Sequence, residues 1–282
     1  MNLLEKYESP CTFKGEILSF LGINEPGILK VAIDLRKLYP CEHELMEFKR
    51  RFCEFRNDKG NFEIMCLKGD MLTYLTECII PTKRKKDKDI SLLLLLGNPA
   101  SHSVSSRMFF SYERERQSDG TGKDHRFWKA LEETCVLRFT RKCSYSENIT
   151  ERSESRKREL YDLSYLSDFR IGLSTFYSMP SSASGSKWAG VDGLRRLFGN
   201  ATLQKIVEDE KRRIKHIIDN FLGSKGGIFA FHKNSYEQAD CLLHKSDGIR
   251  IWRAPPTRLI RGAQNIEQLR KFKECLLNQG DN

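Results

Sequence analysis

The chain has 282 residues and a formal net charge of +10. Hydrophobic residues make up 39% and charged residues 30% of it, so a sizeable core can form beneath a heavily charged surface. No apolar run approaches the roughly 20 residues of a membrane span, which argues against a membrane partner. The basic balance favours a polyanion, and nucleic acid ahead of an acidic membrane.

The N-terminal stretch MNLLEKYESPCTFKGE carries acidic side chains where a signal peptide has a basic end, and it has no long apolar segment. Nine cysteines is an odd number, and none of them forms a Cys-x-x-Cys pair or stands at zinc-ligand spacing from a histidine. We therefore expect reduced thiols, a cytoplasmic location (nucleoid-associated in a prokaryote), no metal and no cofactor.

Residues 1–85 mix short helical and strand-like patterns, with one clear helix after Pro40. The apolar side chains of that helix fall on one face. They are Leu45, Phe48, Phe52 and Phe55. The charged stretch PTKRKKDKD at 81–89 is typical of a linker. The sequence therefore predicts an N-terminal α+β extension of unknown role over 1–85 and a second domain over 86–282.

Four downstream segments are predicted to be buried strands, because they are short, apolar and mostly rich in β-branched or aromatic residues. They are SLLLLLG (91–97), FRIGLSTFY (169–177), GGIFAFH (226–232) and GIRIWRA (248–254). Helical patterns separate or follow them, at 205–223, 234–245 and 265–278. This alternation predicts an α/β fold, a three-layer αβα sandwich with a short, mainly parallel central sheet.

Two polar stretches between the first two strands are predicted to be mobile. Residues 111–125 contain glycine and few apolar side chains, and residues 144–159 are highly charged. Such composition is typical of segments that bury little surface.

The carboxyl ends of the predicted strands are the places where a parallel sheet binds ligands. The first strand ends on Gly-Asn98-Pro, with His102 close behind, and the second runs through Ser174 and Thr175 into the tail FYSMPSS. The sequence contains no P-loop, no Gly-x-Ser-x-Gly and no dinucleotide fingerprint. An enzyme built on these tails works with oriented amides, hydroxyls, aromatic rings and a basic rim. Taken alone, Asn98 is better explained as a residue that fits a tight turn, because asparagine tolerates such geometry.

Taken in order, these motifs resemble the uracil-DNA glycosylase superfamily, and most closely its mismatch-specific and thymine-DNA glycosylase branch. The segment LGNP (96–99) is similar to the branch's Gly-Ile-Asn-Pro, and HRFWK (125–129) to its Asn-Arg-Phe-Trp-Lys. The stretch IGLSTFYSMPSS (171–182) is similar to its Gly-(Leu/Ile)-Thr strand with a following proline. APPTRLIRG (254–262) is similar to its proline turn with a wedge residue. The resemblance covers about residues 90–278.

The resemblance implies a monofunctional DNA glycosylase that flips a nucleotide out of double-stranded DNA and cuts the base–sugar bond with water. The transition state of such a reaction resembles an oxocarbenium ion, with negative charge on the departing base. Asn98 matches the family position that holds the attacking water. His102 is close enough in sequence to help position the water or to bind phosphate, and is equally a surface histidine of the loop. No lysine is obviously placed as a nucleophile, so the expected product is an abasic site, formed by a monomer.

The resemblance also implies a base pocket and a DNA-binding surface. Ser174 and Thr175 stand where relatives place a pyrimidine-reading side chain, often Asn. The ring that stacks on the base is Phe109 or Phe127, with Phe110 as a rival, while Trp128 is expected in the core. The expected phosphate contacts and wedge are Arg126, Lys129, Arg258, Leu259 and Arg261.

Two departures from the family pattern bear on the substrate and on activity. A hydroxyl at Ser174 or Thr175 is smaller and less exclusive than an amide, which favours a modified or mismatched pyrimidine over plain uracil. The role is then base-excision repair or defence against phage DNA with modified bases. The last motif has Ala254, Pro255 and Pro256 in place of a polar side chain. A non-catalytic DNA-binding sensor is therefore the alternative, and an α/β hydrolase of small nucleosides a third reading.

Overall fold

A computed structural model describes residues 11–23, 25–58, 61–88, 90–113, 117–223, 225–243, 248–253 and 263–278. Its strands are β1 Phe13–Lys14, β2 Leu18–Gly22, β3 Ile28–Asp34, β4 Met65–Lys68, β5 Met71–Ile79, β6 Ile90–Leu96, β7 Phe169–Thr175, β8 Gly227–Ala230 and β9 Arg250–Arg253. Its α-helices are α1 Leu35–Leu38, α2 Glu42–Arg56, α3 Ser101–Ser105, α4 Arg126–Glu133, α5 Ile149–Asp162, α6 Gly190–Phe198, α7 Asn200–Phe221, α8 Lys233–Asp240 and α9 Ala263–Leu277.

The strands form one mixed sheet in the order β1-β2-β3-β5-β7-β6-β8-β9, with β4 paired to β5 outside this path. The four strands expected from the sequence are the parallel part, β7-β6-β8-β9. The strands before residue 85 pair antiparallel and join the parallel part where β5 meets β7. The predicted domain boundary at residue 85 thus falls between two strands of one sheet, and the division into two domains stays a prediction.

The leucine run of β6 is continuous because both of its faces are covered. Leu93 and Leu95 pack in a hydrophobic cluster with side chains of α2, α6 and α7. Leu92, Leu94 and Leu96 pack in a second cluster with side chains of α4, α5 and α9. A strand buried on both sides loses the alternation of a half-exposed strand, and this is typical of parallel sheets. The protein is therefore a mixed α/β structure whose central sheet is flanked by helices.

The charged segment 144–159 is structured, so the prediction of a mobile stretch is wrong there. Most of it belongs to α5, whose N-cap Asn148 accepts a hydrogen bond from the Glu151 amide. Arg156 is buried and donates two hydrogen bonds to Asp124, at 2.8 and 2.7 Å. Four of the charged side chains of this segment are buried, which composition alone cannot reveal; they are Arg152, Arg156, Lys157 and Glu159.

The other stretch predicted to be mobile, 111–125, is described except for residues 114–116. Its two ends are tied to α5 by the buried Arg152, which donates to the carbonyl oxygens of Ser111 and Gly122 at 2.7 and 2.9 Å. The described part of this loop is therefore held by a guanidinium that donates to two of its backbone carbonyls and lies 3.9 Å from the carboxylate of Asp124.

One pair of cysteines departs from the expected reduced state. Cys11 and Cys78 form a disulfide that spans 67 residues of sequence. Cys78 lies on β5 opposite Ser174 of β7, so the bridge ties the start of the described chain to the junction of the antiparallel and parallel strands. The pairing depends on sheet topology rather than on local spacing, and the expectation of reduced thiols is wrong for these two residues.

Candidate functional site

The tails of β6 and β7 stay paired beyond the ends of the strands. The Tyr177 amide donates to the Gly97 carbonyl oxygen at 2.9 Å. Further along, the Ser181 amide donates to the Pro99 carbonyl at 3.0 Å, and the Ser101 amide donates to the Ser181 carbonyl at 2.9 Å. The two tails therefore form a single edge at the carboxyl end of the parallel strands, the usual ligand-binding position of such sheets.

Asn98 lies on this edge with its side-chain amide held in one orientation. Its Nδ2 donates to Ser181 Oγ at 2.7 Å and to the Pro99 carbonyl oxygen at 3.3 Å. A carbonyl oxygen can only accept, so the nitrogen and not the oxygen of the amide must face Pro99. Within the described part of the chain, nothing donates to Asn98 Oδ1. The half-buried amide thus presents one acceptor oxygen for a water or a ligand.

A hydrogen-bonded network continues from Asn98 into the N-terminal part of the chain. The single proton of the Ser101 hydroxyl is shared between the Ser181 carbonyl, at 2.9 Å, and Asn61 Oδ1. Asn61 is fully buried and donates through Nδ2 to Ser182 Oγ at 2.9 Å. Residue 61 lies outside the region that resembles the glycosylases, and no feature of the sequence marks it as part of a site.

Gly97 allows a histidine to approach the tail of β6. A Cβ at Gly97 would lie 3.2 Å from His232 Cγ, closer than side chains normally tolerate. His232 is exposed and directly precedes α8, so its imidazole lies beside the residue that precedes Asn98. The sequence marks the tail HKNS of the third predicted strand as a place to look, but it gives no reason to choose the histidine.

Two further histidines stand among aromatic rings near the edge. The ring of His102 lies 5.3 Å from that of Tyr112, and burial lowers the pKa of His102. The ring of His125 stacks on Phe110 at 4.6 Å, and burial lowers the pKa of His125 to about 4. His125 also accepts a hydrogen bond through Nδ1 from the Phe127 amide and so caps α4. Both imidazoles are therefore neutral at pH 7 and offer hydrogen bonds rather than charge.

The three candidate phenylalanines differ in exposure. Phe109 and Phe127 are fully buried in the cluster that includes α4, so neither ring faces the edge. Phe110 is half-buried and has a left-handed backbone, with φ of 49°. Such a conformation costs an L residue about 1 kcal/mol or more. Trp128, which lies in the core as expected, donates from Nε1 to the carbonyls of Phe109 and Phe110 at 3.1 Å each and so holds this turn.

Ser174 and Thr175 lie beneath the edge rather than on it. Both are fully buried, and Arg213 of α7 donates to Ser174 Oγ at 3.1 Å and to the Thr175 carbonyl. Arg213 pairs in turn with Glu210 at 2.7 Å, where both side chains are buried. The hydroxyl of Ser174 therefore contacts an internal ion pair, whereas Thr175 Oγ1 is buried without a hydrogen-bond partner among the described residues. Both lie inside because the strand that carries them is covered on both faces.

The predicted DNA contacts divide into two groups. Arg126 and Lys129 are exposed on α4, and Arg126 Nε lies 2.6 Å from Glu113 Oε1. The guanidinium side of this pair is exposed, although Glu113 is largely buried, so the pair contributes only modest stability and Arg126 can exchange the carboxylate for a phosphate. Arg258, Leu259 and Arg261 lie outside the described residues.

A buried carboxyl that sequence inspection does not single out lies behind α3. Glu77 of β5 is almost completely buried, and burial raises its pKa to about 8. Ser103 Oγ lies 3.4 Å from Glu77 Oε1, whereas Oε2 has no hydrogen-bond partner in the structure. Ser103 follows His102 directly, so this acid packs against the helix that begins at the candidate edge.

Comparison with protein-family models and with curated proteins finds no match for this chain. Among the side chains that the structure describes, no group of three or more His, Cys, Asp or Glu could hold a metal ion. None of the described helices has both the length and the apolar character needed to cross a bilayer. Function therefore has to be inferred from the motifs and from the geometry of the edge.

Proposed function

We propose that this chain is a monofunctional DNA glycosylase, which hydrolyses the N-glycosidic bond of a flipped-out, modified or mismatched pyrimidine in double-stranded DNA and leaves an abasic site. The observation that carries the proposal is the fixed amide of Asn98, whose nitrogen is bound to Ser181 and Pro99 while its oxygen is open at the carboxyl edge of parallel strands. The order of the motifs along the sequence supplies the reaction class.

The proposal includes a finer architecture for the parallel part, a three-layer αβα sandwich. The two hydrophobic clusters on either side of β6 support it, with α6 and α7 on one face and α4 and α9 on the other. In such a sandwich the edge at Asn98 is the position where the chain is free to bind a ligand.

In the proposed reaction, a water molecule donates a hydrogen bond to Asn98 Oδ1 and is thereby held in line with C1′ of the flipped nucleotide. The water oxygen forms a bond to C1′ while the bond from C1′ to the base nitrogen breaks, and that electron pair leaves with the base. The proton that the water loses passes to solvent. Asn98 cannot remove a proton, so its contribution is position, and a misplacement of about 1 Å costs about 100-fold in rate.

The aromatic and imidazole side chains near the edge supply the base pocket in this proposal. Phe110 takes the stacking role, because this residue is half-buried whereas Phe109 and Phe127 are fully buried. A neutral imidazole at His102 donates a hydrogen bond to the charge that develops on the departing base. The net charge of +10, with Arg126 and Lys129 exposed on α4, suits a phosphate backbone.

The test is base release from defined duplexes. The protein is incubated with labelled duplexes that carry uracil, a T·G mismatch or C5-modified cytosines, and alkali then cleaves any abasic site. We expect cleavage at one modified or mismatched pyrimidine, with DNA affinity that falls steeply as salt rises. Binding without abasic sites on every duplex would favour the non-catalytic sensor, and cleavage of free nucleosides with little duplex affinity would favour the nucleoside hydrolase.

A further inference from the structure

The orientation of Asn98 depends on two acceptors of Nδ2, the Ser181 hydroxyl at 2.7 Å and the Pro99 carbonyl at 3.3 Å, of which Ser181 is the nearer. Ser181 is 2% exposed, and its Oγ accepts a hydrogen bond from the Gly190 amide at 2.8 Å. The hydroxyl proton faces the Ser182 carbonyl oxygen at 3.4 Å. These contacts use the proton and one lone pair, so the other lone pair is free to accept from Asn98 Nδ2 at 2.7 Å. Ser181 thus selects the orientation in which Asn98 Oδ1 is open.

The backbone of Ser181 is fixed on both sides by the neighbouring tail. Its amide donates to the Pro99 carbonyl, and its carbonyl accepts from both the amide and the hydroxyl of Ser101. Asn61 stabilises this arrangement through two hydrogen bonds. Its Oδ1 accepts from the Ser101 hydroxyl, and its Nδ2 donates to Ser182 Oγ. A buried network with all of its members hydrogen-bonded holds a single geometry.

The N-terminal part of the chain holds the whole loop that carries Ser181. Tyr74 Oη lies 2.8 Å from Ser178 Oγ, and Thr76 Oγ1 donates to the Ser178 carbonyl at 2.6 Å. At the other end of the loop, the rings of Phe55 and Trp188 meet edge to face with centroids 5.6 Å apart. Residues before position 85 therefore contact the loop between β7 and α6 along most of its length.

We propose that Ser181, Ser101 and Asn61 form a positioning network that acts through Asn98, so that the N-terminal part of the chain completes the site. This inference rests on the proposed function. Without the Ser181 hydroxyl, only the longer contact with the Pro99 carbonyl at 3.3 Å holds the Asn98 amide. The amide can then rotate by half a turn and present its nitrogen to the water, which loses the acceptor that aligns it. Supporting residues of this kind hold a catalytic group in its productive geometry.

The first test is a double-mutant cycle on the rate of base release in a single turnover. Ser181→Ala is expected to slow release ~10- to 100-fold, with the Kd for the duplex changed less than about twofold. In an Asn98→Ala background the same change is expected to slow release no further, because both variants remove the same function, the alignment of the water by Asn98 Oδ1. Additive losses, or full activity in Ser181→Ala, would overturn the inference.

Asn61 is tested in the same cycle, with a control for the loss of a buried hydrogen bond. Asn61→Ala and Ser101→Ala break the same link from its two ends, so one of them suffices if the other does not fold. Each is expected to slow release ~10-fold and to add nothing to Asn98→Ala. The control is Ser144→Ala, which removes a fully buried hydroxyl that bonds Ser155 and Glu159 elsewhere in the molecule. A similar rate loss in the control would assign the effect to general destabilisation and overturn the network.

A second measurement does not depend on activity. In ¹⁵N-labelled protein, the side-chain NH₂ of Asn98 is expected to exchange slowly with solvent and to exchange faster in Ser181→Ala. Fast exchange in the wild-type protein would overturn the inference even for an active enzyme. Conversely, failure to release a base from any duplex would remove the proposed function, whereas a protected amide that depends on Ser181 would still establish the network.

Discussion

Ser174 and Ser181 are hydroxyls seven residues apart on one strand and its tail, yet they have opposite surroundings. Ser174 is fully buried and accepts from Arg213, which pairs with Glu210 inside the protein. Ser181 is also buried, but its hydroxyl faces outward to the half-exposed amide of Asn98. We call the first set (Ser174, Thr175, Glu210 and Arg213) the inner layer, and the second (Asn98, His102 and Ser181) the outer layer.

The difference shows that two polar layers at one sheet edge can have different roles, one in stability and the other in activity. The inner layer satisfies buried charge, and its loss should lower stability. The outer layer has an open acceptor, and its loss should lower activity while the fold remains intact. An inner-layer variant that lowers only activity, or an outer-layer variant that lowers only stability, would contradict this distinction.

The largest expected effect is on stability, from the inner layer. Glu210→Ala leaves the guanidinium of Arg213 buried without its carboxylate and removes the acceptor of the Ser178 amide. Breaking a buried pair in this way costs about 3–5 kcal/mol in the free energy of unfolding, measured by urea denaturation. The matched control is Glu208→Ala on the same helix, which removes an exposed pair with Lys211 and should cost less than about 1 kcal/mol. Equal losses of unfolding free energy in Glu210→Ala and Glu208→Ala would show that the inner layer has no special role in stability.

The next effect is a pH dependence of stability that arises from Glu77. Its pKa is raised to about 8 in the folded state, so between its ordinary value of 4.5 and pH 8 the folded protein binds a proton that the unfolded chain releases. Stability then falls as pH rises through this window, by on the order of 3 kcal/mol from this one group. Glu77→Gln should abolish this part of the slope and be the more stable form at pH 8.

The measurement for Glu77 is urea denaturation at several pH values between 4.5 and 8.5. Glu63→Gln is the control, because it changes an exposed carboxyl of the same part of the chain. If wild type and Glu77→Gln keep the same difference in unfolding free energy across the window, Glu77 is ionised in the fold and the assignment fails.

The parallel half of the sheet could be predicted from the sequence because its signals are local. A run of leucines with breakers after it, or a helix with one apolar face, depends only on neighbouring residues. The four predicted strands occur within three residues of their expected ends, and the helix after Pro40 is α2. The antiparallel strands before residue 85 carry weaker patterns, since their half-buried faces are set by pairing with distant segments.

The candidate site was predictable only in part, for the same reason. Asn98 follows a clear strand, so its place at the carboxyl edge could be expected. Which hydroxyl of the second tail meets it could not, because the course of the chain after Thr175 depends on contacts with α7 and with the N-terminal strands. Asn61 carries no local signal at all. The charges of 144–159 suggested solvent exposure, whereas Arg156 and its partner Asp124 meet only in the folded structure.

In the outer layer, Asn98→Ala should lower the single-turnover rate of base release by ~100-fold, since the water loses the acceptor that aligns it. Affinity for the duplex should be nearly unchanged, and so should stability, because the side chain is half-buried. The control is Asn220→Ala, an exposed asparagine at the end of α7, which should keep full activity. Undiminished activity in Asn98→Ala would remove this residue from the mechanism.

The smallest expected effect is on stability and comes from His125, whose imidazole interacts with that of His102 in the outer layer. The pKa of His125 is lowered to about 4 in the folded protein, below its ordinary 6.5. The unfolded chain therefore takes up a proton first, and stability present above pH 6.5 is lost as pH falls through about 4. His125→Asn keeps an oxygen that can cap α4 but cannot titrate. Between pH 6.5 and 4, we expect the free energy of unfolding of this variant to fall by about 1–2 kcal/mol less than that of the wild type.

Thermal unfolding at half-unit steps of pH measures this difference, with His216→Asn on α7 as the matched replacement. A parallel loss of stability in wild type and His125→Asn would mean that the imidazole is protonated in the folded protein. In that case Nδ1 could not accept from the Phe127 amide, and the capping of α4 would need another acceptor. A smaller loss in His125→Asn alone would instead support a neutral ring stacked on Phe110 in the folded protein.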